Sequence, residues 1–242
     1  EAIQTQFFYF VPKFVQGNPD IQQLFVFNIL DTISQNMKEK YKLYIPVIYS
    51  LLYNNNDTQK MFVEMNHLND LVPAIQSSDE QAIDFLIMLF STSNNASKYR
   101  HFILGSELFQ IVVTQARANT EKRSKFIRLL GWLIRGDSDL CALMTEATPT
   151  TNNANSNTPN SNLTATTTTL EIILRTAISS SDQEERNSSL FFIECYLIKS
   201  KVTPDFLAKT ICQKIGIESS NMLLNFESKP NEVSSLLLIA CD

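Results

Sequence analysis

Glycine is scarce, with five in 242 residues. Phosphate-cradling loops, nucleotide-binding βαβ units and β-sandwiches spend glycine on positive φ and close backbone approach, so the shortage disfavours them and favours helices. Histidine occurs twice and tryptophan once, and the chain has no HExxH, GxSxG, paired CxxC or Gly-rich phosphate loop. The parts of a zinc site or of the common nucleophile arrangements are missing, so no catalytic, metal or cofactor-binding residue is expected and no enzyme is read. Cys141, Cys195, Cys212 and Cys241 show no metal or redox spacing. Three of them lie in apolar helical text and read as small buried hydrophobes in a reducing compartment. No apolar run approaches the roughly 18 residues that span a bilayer, and no signal-peptide pattern opens the chain, so a soluble protein is expected.

A basic excess is also lacking: 20 Lys and Arg stand against 25 Asp and Glu, a formal net charge of −5. Nucleic-acid binding needs clustered cations across a face, so no nucleic-acid partner is expected. One basic cluster exists, comprising Arg117, Lys122, Arg123, Lys125, Arg128 and Arg135. It reads either as a solvated inter-helix loop and polar helix face or as a surface for an acidic partner. On the second reading Lys122, Arg123, Lys125 and Arg128 are the candidate partner-binding residues.

What the chain has in quantity is helical text. Hydrophobic residues make up 44%, enough for a substantial core. In "LVPAIQSSDEQAIDFLIMLF" (Leu71 to Phe90) a helix end and a polar turn precede Ile83, Leu86, Ile87 and Phe90, which fall at i, i+3, i+4 and i+7 and predict an amphipathic helix with Asp79 as its cap. "FVPKFVQGNPDIQQLFVFNIL" (Phe10 to Leu30) has the same grammar, with Asn18 as cap and Pro19 at the first helical position. Thr203-Pro204-Asp205 repeats that start signal.

Laying Phe62 on Phe102 also matches Val63 with Ile103, Leu68 with Leu108, Leu71 with Ile111 and Val72 with Val112, all 40 residues apart. A helix–turn–helix unit of about 40 residues predicts an all-α, armadillo/HEAT-like superhelical solenoid, in which each unit buries its apolar face on the next. The whole chain, 1–242, is expected to be one such solenoid. Apolar text near both ends, Phe7 to Val11 and Leu236 to Ala240, fits a piece of a longer protein. One stretch interrupts the period: 148–169, "TPTTNNANSNTPNSNLTATTTT", has no charge and almost no apolar residue, which predicts a disordered Asn/Thr-rich loop inserted between helices.

Four residues stand out singly. Glu194 sits in "SLFFIECYLI", where it is either a buried carboxylate marking a site or part of a narrow polar stripe. Trp132 reads as core or as a partner anchor. His67 and His101 fall within the aligned helix-end phrases.

In the C-terminal half, "FIRLLGWLIRGDSDLCALM", "LEIILRTA", "NSSLFFIECYLI" and "LAKTICQKIGIESSNMLLNFES" follow one another. This order resembles the last repeats of the globular head of the Uso-type general vesicular transport factors, long coiled-coil Golgi tethers. That head closes on Ile-x-x-(Lys/Arg)-Ile-Gly-Lys-Glu-Asn followed by a Phe, and Ile211, Lys214, Ile215, Gly216, Glu218 and Phe226 stand in that pattern. Ile217 stands where the pattern has Lys, and the Asn/Thr insertion is foreign to it. The resemblance implies a cytoplasmic scaffold, peripheral on Golgi membranes through its partners, that binds a GTP-loaded Rab-type GTPase and tether or SNARE machinery in vesicle transport and dimerises in the full-length protein. Another armadillo-type adaptor, such as a formin-like GTPase-binding region or a chaperone exchange factor, is the alternative.

Overall fold

The computed structural model describes residues 2–92, 96–118, 120–148 and 167–198. Thr203 to Asp205 and the segment Ile211 to Phe226, with Cys212 and Cys241, lie outside them. The described residues are all-α apart from one two-residue ladder, and they form an armadillo-like solenoid. The chain packs as two compact units, Glu1–Leu133 and Ile134–Asp242, and the division falls inside the last turn of a helix.

The first unit begins with α1 (Ala2–Val15) and α2 (Pro19–Leu52). Asn18 caps α2 by accepting from the Ile21 N–H at 3.3 Å, with Pro19 at N1 as expected. Lys40 has non-helical φ −126° and ψ 35°, which splits α2 into two helical segments end to end. Then come α3 (Asn56–Glu64), a 3-10 turn (His67–Leu71) running into α4 (Val72–Gln76), and α5 (Glu80–Thr92). The same three-part order follows in α6 (Ala96–Tyr99) with its 3-10 turn Arg100–Phe102, α7 (Glu107–Arg117) and α8 (Arg123–Ile134).

The second unit holds α9 (Ser138–Leu143), strands β1 (Ala147–Thr148) and β2 (Thr167–Thr168), α10 (Thr169–Ser179) and α11 (Gln183–Leu197). The period is therefore real but contains three helices rather than two. Their first members start at Asn56, Ala96 and Ser138, 40 and 42 residues apart. The predicted insertion begins and ends in regular structure. Thr148 and Thr167 face each other in the antiparallel β1–β2 ladder, and Thr168 caps α10 through a reciprocal capping box with Glu171. Residues 149–166 lie outside the described residues.

In the first unit the core is built around α5. Ala82, Ile83, Phe85, Leu86, Met88, Leu89 and Phe90 are all buried, a wider face than the predicted stripe, while Ile87 is half-buried. Phe85 takes Phe62 edge-on at 5.6 Å and Tyr49 at 6.5 Å, and each buried ring stabilises the unit by about 2–3 kcal/mol. The 40-residue match fails at one position: Phe62 is fully buried, whereas Phe102 is 47% exposed. α6 breaks after Tyr99 into a 3-10 turn, whose tighter winding rotates Phe102 outward, and Tyr99 fills the core there instead.

Helix ends are closed in two recurring ways. Positive φ follows the helices at Gly17, Gly105 and Gly136, and also at Asn54, Asn66 and Ser78. After α4 the Asp79 N–H reaches the Ala74 carbonyl at 2.9 Å and the Ser78 N–H reaches that of Ile75 at 3.0 Å, a Schellman closure. The second device is a side chain from the next helix donating to a carbonyl seven residues back. Thr58 Oγ1 donates to Leu51, Gln59 Nε2 to Leu52, Arg123 Nε to Ala116 and Cys141 Sγ to Ile134. These carbonyls are orphans of their own helices, and buried orphans are costly.

At the end of α2 the closure is complete across a full turn. Buried Gln22 donates through Nε2 to the carbonyls of Ser50 (2.8 Å) and Tyr53 (3.0 Å), while its Oε1 accepts from Asn55 Nδ2 (3.1 Å). With Thr58 and Gln59 this serves four consecutive carbonyls, 50 to 53. Further along the unit, Arg100, 6% exposed, donates from Nε and Nη2 to the Trp132 carbonyl in α8.

Candidate protein-binding surface

The basic cluster lies along the link from α7 to α8, and the structure separates its members. Lys125 places Nζ 2.5 Å from Glu80 Oε1 and 3.0 Å from both carboxylate oxygens of Asp84, on the first turns of α5. Lys122 reaches Glu80 Oε2 at 3.9 Å. Arg123 turns the other way and closes the end of α7 through the Ala116 carbonyl. Arg128 is exposed on α8, and Arg117 is half-buried at the end of α7. Lys122 and Lys125 thus meet acidic partners within the chain itself.

The electrostatics follow that geometry. The Lys125 hydrogen bond and charge hold the Glu80 carboxyl below its usual value. Burial works against the Lys125 charge, but its hydrogen bonds to Glu80 and Asp84 and their negative charges outweigh it and raise its pKa. Burial lowers that of Arg117. Both acids sit near the N-terminus of α5, where the helix dipole favours negative charge, so one face carries alternating charges that tie α5 to α8.

Beside Asp84 opens a recess of about 410 Å³. Ile45 and Ser50 form its buried floor, Pro12, Pro46 and Tyr49 its walls, and Gln16, Gln81 and Asp84 its rim. Tyr49 stacks on Tyr53 at 5.8 Å. Burial, aided by Tyr53 and Asp84, raises the Tyr49 pKa, so the phenol keeps its proton. Sequence reading missed this recess, because nothing in the sequence joins Pro12 and Pro46 to residues 81 and 84.

The residues singled out one by one resolve as follows. Glu194 is exposed on α11, so the polar stripe is what forms. Trp132 is half-buried. His67 is buried against Phe62 with Nδ1 3.0 Å from Asp70 Oδ2, while His101 is exposed. Cys141 and Cys195 are buried. Beside Cys141, the Tyr196 hydroxyl is pushed up to about 12, chiefly by burial. Among the described residues no His, Cys, Asp or Glu group is arranged to hold a metal, and no helix is long and apolar enough to cross a membrane.

No protein-family model and no curated protein matches the sequence. Two solved structures share its backbone path. Against Uso1-1 the TM-score is 0.68 at 17% identity over 94% of this chain, and against Uso1-2 it is 0.69 at 16% identity over 93%. The fold is that of the Uso1 structures. The chain spans 41% and 40% of the lengths of those two Uso1 chains. At such identity the likeness concerns the backbone alone.

Proposed function

We propose that this chain is a non-enzymatic protein-binding scaffold of the vesicle-tether type, a head region that recognises a GTP-loaded Rab-type GTPase and other tether components at Golgi membranes. The observation that carries the reading is the agreement of two independent features: the Uso1 backbone and the run of C-terminal phrases that resembles the tether heads. A solenoid suits recognition without bond chemistry, because each repeat is buried against its neighbours and its outward residues vary without disturbing that core.

The test is a pull-down with purified Golgi Rab GTPases locked in the GTP or GDP state. Selective recovery of a GTP-locked form is the expected result. Recovery of none, or equal recovery of both nucleotide states, would overturn the proposal. In the same assay the charge-reversed pair Lys122→Glu and Arg128→Glu should lower recovery if the cations just before and on α8 contact the partner.

A further inference from the structure

We propose that the recess between α1, α2 and α5 receives an arginine side chain from a protein partner, its guanidinium lying over the Tyr49 ring and pairing with Asp84. Three observations lead to that occupant. The walls and floor formed by Pro12, Pro46, Ile45 and the Tyr49 ring are apolar, matching the three-carbon stem of arginine. The rim carries the Asp84 carboxylate, which Lys125 meets from outside the recess, and no Lys, Arg or His belongs to the lining itself.

Third, the recess keeps acceptor capacity beside the amide groups of Gln16 and Gln81 and the Tyr49 hydroxyl. Pro12 and Pro46 bring no N–H, and at position 46 that removes the helix donor to the Lys42 carbonyl. The Ser50 hydroxyl spends its proton on the Val47 carbonyl at 2.7 Å, leaving lone pairs toward the floor. Asp84 has two oxygens with about four lone-pair directions between them, and the Lys125 ammonium uses only part of that capacity.

Guanidinium is the side-chain group that donates from five N–H positions and accepts from none, and its plane stacks on an aromatic face. Lysine offers a compact, strongly hydrated charge without the stacking plane, so it fits the carboxylate and leaves the ring unused. A free amino acid would bring its own carboxylate against Asp84, which favours a peptide-borne arginine. The proposal requires no particular GTPase, so failure of nucleotide-dependent capture would leave it standing.

The test is an NMR titration of the whole 242-residue chain with N-acetyl-arginine N-methylamide, run beside the citrulline, lysine and free-arginine analogues. Citrulline keeps the shape and loses the charge. Saturable shifts at Tyr49, Gln81 and Asp84 are expected, with the capped arginine binding about fivefold or more tightly than citrulline. Asp84→Asn and Tyr49→Leu should each weaken it by about fivefold, and Tyr49→Phe should preserve it. Gln81→Glu adds a second carboxylate at the rim without touching the core and should tighten binding, which keeps the test decisive if Asp84→Asn misfolds through loss of Lys125. Equal binding of citrulline, shifts away from the recess, or no tightening by Gln81→Glu would each overturn the proposal.

Discussion

Replacing Gln22 with Met keeps the length and apolar bulk of the side chain and removes only its amide. The Ser50 carbonyl is buried and that of Tyr53 partly so, and both lose their Gln22 donor. A buried acceptor stripped of its donor costs about 1–3 kcal/mol, and one open to some water costs less, so the two together should cost about 2–4 kcal/mol. Asn55 also loses the Gln22 Oε1 acceptor but keeps the Pro19 carbonyl at 3.3 Å, so its share is small. With a urea slope of about 2 kcal/mol/M, the unfolding midpoint should fall by about 1–2 M. Trp132 is the only tryptophan and lies in the same unit, so its fluorescence reads that unit alongside far-UV circular dichroism. Thr58→Val is the internal comparison. It removes one hydroxyl shared between the Leu51 and Asn55 carbonyls, at 3.0 Å each, and should cost about 1 kcal/mol. A Gln22→Met midpoint within about 0.25 M of the parent would mean that these carbonyls find other donors, and the account of the α2 terminus would be wrong.

Ser78 holds φ 55° where the equivalent turn after α1 uses Gly17. Ser78→Gly should therefore stabilise by about 0.5 kcal/mol and Ser78→Val destabilise by about 1–2 kcal/mol, both read from urea midpoints. Glu80 has a lowered pKa, so its contribution is complete above the ordinary carboxylate range and is lost as pH falls through the lowered value. Lys125 has a raised pKa, so its contribution is complete below the ordinary lysine value and is lost as pH rises through the raised one. The α5–α8 tie should accordingly be flat from about pH 5 to about pH 10. Lys125→Met should return the Glu80 carboxyl NMR titration to the ordinary range. Thr168→Ala breaks the capping box on α10 and should cost about 1 kcal/mol, with faster hydrogen exchange at the Glu171 amide.

Short-range features were legible in the sequence. Asn18 and Asp79 were readable as caps because their partners are three residues away, at Ile21 and Ala82. The echo between Phe10 and Leu71 was readable because Gly17 and Ser78 share a left-handed turn at the same place in the phrase, with Asn18 and Asp79 capping the helices that follow. The kink at Lys40 was not legible, since lysine is an ordinary helix residue and Pro46 lies six positions later. The role of Gln22 was not legible either, since its partners stand 28 to 33 residues away. The basic cluster was visible, but its partners Glu80 and Asp84 lie 45 and 41 residues before Lys125, one structural repeat back. Charge patterning within one helix cannot reveal a contact of that span.

The two-residue ladder below residues 149–166 has a topological meaning. Ala147 and Thr168 are paired across it, so the chain leaves and returns within about 5 Å. Whatever sequence lies between starts and finishes at one point, and doubling its length adds only about 0.6 kcal/mol of closure cost. This makes the position a socket. A guest domain whose own termini lie side by side could be spliced between residues 149 and 166 while the Thr168 cap and the start of α10 keep their register, which would give this solenoid a reporter attached at both ends.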